Sequence, residues 1–313
     1  MLAFALIYVI WGSTYLGIRF AIQSMPPLLM AGARFFTAGV ILFAYCWARG
    51  MTRPTPRQWR NAAVAGSLLL LGGNGLVTWA ELRVPSGLTA LLVATASLWM
   101  VLIAWAVNGE RPGRRAWAGI ACGMAGVALL VGPSLVGRAG GVDPIGALAL
   151  LGSALTWSIG TVVARRSDLP SSTLMGTAAE MLTGGAALLL ASAAFGEPAR
   201  FNVAHVSTVS LIAFVYLVFI GALVAYSAYT YLVAHTTAAK LGTYAYVNPV
   251  VAVILGWLIA GEPIGARTVA AMVIIVTAVA ILTIKPRPAA PSSPILAPWK
   301  HRRTEIPGSE RSG

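Results

Sequence analysis

Ten apolar runs of about 20 residues each, separated by short segments that hold most of the charge, dominate this chain. A run of that length crosses a hydrocarbon layer about 30 Å thick as a helix. Lipid offers backbone groups no partner, so the choice lies between helices and a closed barrel, and these runs are too long for barrel strands. The predicted spans are 2–22, 28–48, 61–81, 87–107, 116–136, 145–164, 173–195, 208–231, 240–260 and 267–284. Charged residues make up 10% of the 313 and hydrophobic ones 58%, where a soluble domain carries about 25% charged. A net charge of +13 would suggest nucleic acid in a soluble protein. Here the basic residues punctuate apolar segments, which reads as membrane topology with the lipid bilayer as partner and no nucleic acid. Cys46 and Cys122 both fall inside apolar runs and read as small core residues, not a disulfide. The fold class expected is an all-α polytopic membrane protein.

Orientation follows from the basic residues. With the N-terminus in the cytoplasm, the segments on that side hold sixteen Lys and Arg, and the opposite side with the membrane holds six. That is the positive-inside bias, and it predicts both termini cytoplasmic. After Lys285 the chain is rich in Pro, Ser and Arg with no apolar period, so a disordered basic tail is expected over 286–313, with Lys300-His301-Arg302-Arg303 able to rest on anionic lipid.

The chain also repeats itself. At an offset of 146, Trp11 matches Trp157, Arg19 matches Arg165, Thr37 matches Thr183 and Gly39 matches Gly185. Further on the offset is 152: Ala90 falls on Gly242, Trp105 on Trp257, Gly109 on Gly261 and Glu110 on Glu262. The six extra residues belong in the loop near 196–207. Two repeats are expected, 1–137 and 138–285, with five spans each. Five is odd, so the second half must lie upside down relative to the first. The expectation is therefore ten transmembrane helices as a 5+5 inverted-topology repeat, an architecture common among secondary transporters.

At this point the residues resemble a known family. Trp11-Gly12-Ser13-Thr14-Tyr15, Pro26-Pro27 followed by Ala33-Arg34-Phe35, and the paired Gly109-Glu110 and Gly261-Glu262 are similar to EamA-type members of the drug/metabolite transporter superfamily. The resemblance covers roughly 3–284 and rests on the order and duplication of these motifs. It implies a ten-helix transporter of the plasma (inner) membrane that moves small metabolites, often amino acids, outward without ATP hydrolysis or a cofactor. Against it the N-terminus is short, and a few more residues are expected before the first span.

Charges inside the spans are costly, about 2.5–3.5 kcal/mol at the bilayer centre on insertion scales, and mark functional positions. Arg34 in span 2 and Glu180 in span 7 are repeat equivalents at opposite depths. They are the candidates for gating or proton coupling. Each also has a structural alternative: a salt bridge of Glu180 with Arg165 or Arg166, and of Arg34 with Glu81. Arg34 with Arg19 could make an outer mouth attractive to carboxylate, since a guanidinium fork fits that group.

Amphipathic rings and amides deep in the spans suit a cavity holding an organic solute. The candidate substrate-binding residues are Trp11, Asn74, Trp79, Trp157, Tyr226, Tyr231, Tyr246 and Asn248, gathered from spans 1, 3, 6, 8 and 9. Ordinary helix packing is the alternative for any one of them. Asn248-Pro249 is the sharpest local feature, because Pro249 donates no N–H and frees the carbonyl of Ala245. Gly119, Gly123 and Gly126 in span 5 allow another helix to approach closely, either the other repeat's outer helix or a second protomer in a homodimer.

No Gly-x-x-x-x-Gly-Lys-Ser/Thr motif is present, which argues against ATP-driven transport. No His-Cys-carboxylate cluster suits a metal. A membrane enzyme acting on lipid or a lipid-linked sugar would need ionisable residues clustered at one interface, and the sequence offers few. That enzyme and a non-transporting scaffold are the competing readings.

Overall fold

The structure is a computed structural model that describes residues 2–109, 111–136, 141–236 and 244–283. Of Asn108, Tyr246 and Thr283 it describes the backbone alone. Glu110, the entry of the expected ninth span at Lys240, and the tail with its basic cluster lie outside the described residues.

Long helices follow one another: α1 (Leu2–Ala21), α2 (Pro27–Ala48), α3 (Pro56–Ala80), α4 (Ser86–Val107), α5 (Arg114–Leu135), α6 (Pro144–Arg166), α7 (Thr173–Ala194) and α8 (Thr208–His235). These eight are long and apolar enough to cross a membrane. Two shorter apolar helices follow, α9 (Tyr244–Ala260) and α10 (Ala266–Thr283). No strand occurs among the described residues. Local sequence sets the starts. Pro27, Pro56 and Pro144 stand in the first turn, where a missing N–H costs nothing. Thr55 and Gln58 form a reciprocal capping box before α3, which begins five residues earlier than the apolar run alone predicts.

Among the described residues four glycines adopt positive φ, and they form two pairs at the sequence offsets: Gly50 with Gly196, and Gly109 with Gly261. Each follows the end of a long helix, where a side chain would strain the left-handed turn. The acid after two of them has a second task. Glu197 accepts from the Leu28 and Leu29 amides at 3.2 and 2.7 Å, and from Ser192 Oγ at 2.9 Å, closing the start of α2. Glu262 accepts from the Ser86 amide and hydroxyl at 2.7 and 2.8 Å and from the Gly87 amide at 3.0 Å, closing the start of α4. A carboxylate on exposed N–H groups at a helix start is worth about 1–2 kcal/mol or more when desolvated. At the position matching Glu197, Met51 carries no charge, and its sulfur accepts from Ser172 Oγ at 3.2 Å at the start of α7.

Helices α2 and α7 cross antiparallel at small residues. A Cβ on Gly39 would stand 2.8 Å from the Leu182 nitrogen, and one on Gly185 2.6 Å from the Phe36 nitrogen. The two contacts are repeat equivalents, since Gly39 matches Gly185 and Phe36 matches Leu182. The glycines of α5 meet α10: Gly119 lies against Leu282, and Gly126 against Ile275. Of the two partners expected for that face, the outer helix of the other half is the one found in this chain.

Candidate functional site

Two helices widen where they pass the centre. Residues Ser67–Gly75 of α3 and Leu217–Tyr226 of α8 are π-helical, at nearly matching positions under the 152 offset. Such turns are rare and gather at functional positions because they break the regular backbone ladder. In α3 the segment is glycine-rich, with Gly72, Gly73 and Gly75, so neighbouring helices press in closely. Gly73 lies against the Trp157 ring, and its carbonyl accepts from Ser153 Oγ at 2.9 Å.

Between these segments lies a cavity of about 70 Å³. Trp11 and Tyr15 of α1, Arg34 of α2, Asn74 of α3, Trp157 of α6 and Tyr226 of α8 reach it. Pockets for organic ligands are typically about 300–1,000 Å³. The present space suits a few waters and must widen to take a metabolite.

Arg34 is 3% exposed and sits seven residues into α2, about 10 Å along the axis. Its Nη2 donates to Asn74 Oδ1 at 3.1 Å, and the guanidinium lies 4.1 Å from the centre of the Phe35 ring. Nε and Nη1 are buried without a hydrogen-bond partner. On the other side of the cavity, Tyr226 Oη donates to Glu180 Oε2 at 3.2 Å, with Glu180 2% exposed. Arg34 matches Glu180, and Asn74 matches Tyr226. One arrangement therefore occurs twice with opposite charge: a buried ion of α2 or α7, bonded to a polar side chain of a π-helical turn.

Behind Tyr226 a second pocket, of about 370 Å³, opens at the Thr173 end of α7 and is lined by Glu180, Thr161, Tyr229 and Arg165, among others. Aromatic rings stand between the two spaces. Trp11 packs edge-on to Trp157 at 5.5 Å, and both rings contact Tyr229, at 4.8 and 5.1 Å. Tyr229 Oη in turn shares a 2.6 Å hydrogen bond with Thr161 Oγ1. At the Pro27 end a further pocket, of about 480 Å³, lies against Met25, Leu29, Pro198, Phe201 and Phe214. At the same end Arg19 donates to the Glu81 carbonyl, and Glu81 is fully buried with neither carboxylate oxygen hydrogen-bonded.

These contacts revise several expectations. Glu180 takes Tyr226 as its hydrogen-bond partner, while Arg165 turns away to the Thr236 carbonyl at 3.2 Å. The Glu81 carboxylate is an electrostatic neighbour of Arg34 and Arg19 but forms a salt bridge with neither. Arg19 is bound to a backbone carbonyl and does not reach the cavity, so the outer mouth with two free cations is not found.

Of the expected substrate-binding residues, Trp11, Asn74, Trp157 and Tyr226 come together around the cavity. Trp79 does not line it; its ring lies 5.3 Å from the Arg83 guanidinium. Tyr231 is half exposed and stacks on His235 at 4.1 Å. Both lie near the ends of their helices, Trp79 on α3 and Tyr231 on α8, and periodicity within one helix does not reveal which face a bundle buries. Asn248 is buried against α1, where its amide, oriented nitrogen-first, donates to the Tyr8 and Ile7 carbonyls at 3.0 and 3.1 Å. There it packs α9 onto Gly12, whose Cβ would meet Val251 at 2.6 Å. The Tyr246 side chain lies outside the described set. The cavity also takes Tyr15, Ser153 and Tyr244. Tyr15 ends the Trp-Gly-Ser-Thr-Tyr motif of α1, one helical turn from Trp11, and that spacing was the available signal.

Comparison with known proteins agrees with this architecture. The EamA-like transporter family matches residues 1–132 and again 144–284. The inner membrane transporter YedA of Escherichia coli K12 is 40% identical over 294 residues, covering 93% of this chain and 92% of YedA. A probable amino-acid metabolite efflux pump of the same organism is 28% identical over 167 residues, half of each chain. A solved crystal structure superposes with a TM-score of 0.65 at 22% identity, over 90% of this chain and 96% of the other, and so shares the overall fold. The chain belongs to the EamA-like transporter family of the drug/metabolite transporter superfamily.

Proposed function

We propose that this protein is a secondary transporter that exports small amphipathic metabolites, amino acids or related compounds, by alternating access and without ATP. Ten spans form two inverted halves, residues 1–137 and 138–285, with both termini cytoplasmic. The observation that carries this reading is the pair of repeat-equivalent hydrogen bonds, Arg34 to Asn74 and Tyr226 to Glu180, on either side of one cavity. Inverted halves that can exchange conformations need matched contacts at matched places, one set for each entrance. Two blocks of family similarity and the paired left-handed glycines support the same division. A pocket lies at each end, one of about 370 Å³ at the Thr173 end, the cytoplasmic side under the positive-inside assignment, and one of about 480 Å³ at the Pro27 end.

Substrate would enter the pocket at the Thr173 end, pass the aromatic layer at Trp157 and Tyr229, and be held in the widened cavity. The Glu197 and Glu262 caps would then yield in part as the opposite end opens. Amino-acid efflux as a function leans on the related efflux pump, which matches only half of the chain. The test is flux by the purified protein in liposomes, across a panel of amino acids and other metabolites. Uptake or release that depends on the protein and runs down the imposed gradient supports the reading. No movement of any solute under either gradient direction or any pH step overturns it.

A further inference from the structure

We propose that Arg34 is an anion anchor that makes the cavity selective for solutes carrying one carboxylate on an apolar or cationic body. The inference names the substrate class of the transport site and rests on that reading for the purpose of the cavity. Its binding test does not depend on transport.

Arg34 reaches the cavity and is almost wholly buried, and two of its nitrogens have no hydrogen-bond partner. A guanidinium removed from water without partners for its N–H groups is unfavourable by several kcal/mol. Such a group is ready to accept an oxyanion, because the ion would recover interactions that the fold leaves unmade. Asn74 fixes the third nitrogen, and Phe35 lies against the guanidinium, so Arg34 is held in place before any ligand arrives. The remaining wall includes Trp11, Trp157 and Val77, which suit an apolar body. Beyond Tyr226 the next charge is the carboxylate of Glu180, which repels a second anion and favours a cation there. A dicarboxylate would meet like charge at that pole. Glu81 lies near Arg34 without bonding to it, which leaves the two free nitrogens of Arg34 to a ligand.

The test uses the full chain in detergent and matched ligand pairs: phenylalanine with phenylalaninamide, leucine with leucinamide, and 3-phenylpropionate with its amide. Phenylsuccinate serves as the dicarboxylate. Binding is followed by intrinsic fluorescence, since Trp11 and Trp157 line the cavity, and by thermal shift. For at least one pair the acid should bind about tenfold or more tightly than its amide, the worth of one charge-assisted hydrogen bond. Phenylsuccinate should bind more weakly than 3-phenylpropionate. Arg34→Gln should abolish the preference for acid over amide while leaving amide binding in place. If that variant does not fold, Arg34→Lys decides the matter, because a cation without the guanidinium fork should keep only a weaker preference for acid over amide. Amides binding as well as acids, no acid binding, a preference that survives Arg34→Gln, or one undiminished in Arg34→Lys would each overturn the anchor. Acids that bind but never cross liposomes would retain the anchor and remove the transporter reading. Amides that cross as fast as acids would do the reverse.

Discussion

Asn74 and Tyr226 occupy matching places in two π-helical turns, and each hydrogen-bonds a buried ion on an adjacent helix, Arg34 at 3.1 Å and Glu180 at 3.2 Å. The two sites match in geometry and differ in chemistry, a guanidinium at one and a carboxyl group at the other. The cavity between them is therefore chemically polarised although its scaffold is nearly symmetric.

Glu180 lines the pocket at the Thr173 end yet bonds to a residue of the central cavity, a position suited to linking proton movement with access. Glu180→Gln is expected to remove any proton dependence of transport while preserving binding. Tyr226→Phe keeps the ring and deletes the donor, and should alter that dependence in the same direction. Flux measured against imposed pH gradients checks both. An unchanged pH dependence in Glu180→Gln would return the residue to a structural role.

Glu197 gathers two backbone amides and a serine hydroxyl at the start of α2. Glu197→Ala leaves these donors without their acceptor and should cost about 2–3 kcal/mol of stability. Glu197→Gln retains one acceptor oxygen and should cost about half as much. Thermal unfolding of the purified variants gives the order. Equal stability of both variants and the parent would show that water replaces the carboxylate at no cost.

The α2–α7 crossing depends on the absence of a side chain. Gly185→Ala drives a methyl to within 2.6 Å of the Phe36 nitrogen. Backbone cannot turn aside as a side chain can, so the helices must separate, at about 1–3 kcal/mol. Gly152→Ala meets nothing nearer than a Leu76 methyl at 3.8 Å and should leave the thermal midpoint unchanged or slightly raised. The contrast between the two variants in one assay is the measurement.

Gly261 turns the chain at φ 65° so that Glu262 can reach the start of α4. Gly261→Ala is expected to cost about 1–2 kcal/mol through the left-handed strain alone. Glu262→Ala should weaken the same junction without altering the turn. Because these positions tie the two halves together at the Pro27 end, both variants should also raise labelling of a cysteine introduced there by a membrane-impermeant thiol reagent.

Much of the arrangement was legible before any coordinates. Apolar run length gave the helices, and the two offsets identified Arg34 with Glu180 and Gly109 with Gly261. Trp11, Asn74, Trp157 and Tyr226 were legible as cavity residues because polar and aromatic groups deep in an apolar run need an internal partner or an internal space. Trp79 and Tyr231 stand at the ends of their runs, 61–81 and 208–231, and face elsewhere. A span end allows an aromatic ring to sit at the rim of a bundle as readily as inside it, and sequence depth alone does not separate those cases.

The sequence by itself determined that this chain is helical, apolar enough to cross a membrane several times, and built twice over. Those properties follow from short-range periodicity and composition, which each segment carries alone. Tertiary structure decided which ion meets which partner: Glu180 with Tyr226 and not Arg165, Arg34 with Asn74 and not Glu81. It also placed a pocket at each end, one near Thr173 and one near Pro27. Those outcomes depend on helix rotation and on where π-helical turns shift the register by a fraction of a turn. A shift that small leaves hydropathy unchanged and redirects a side chain from one neighbour to another.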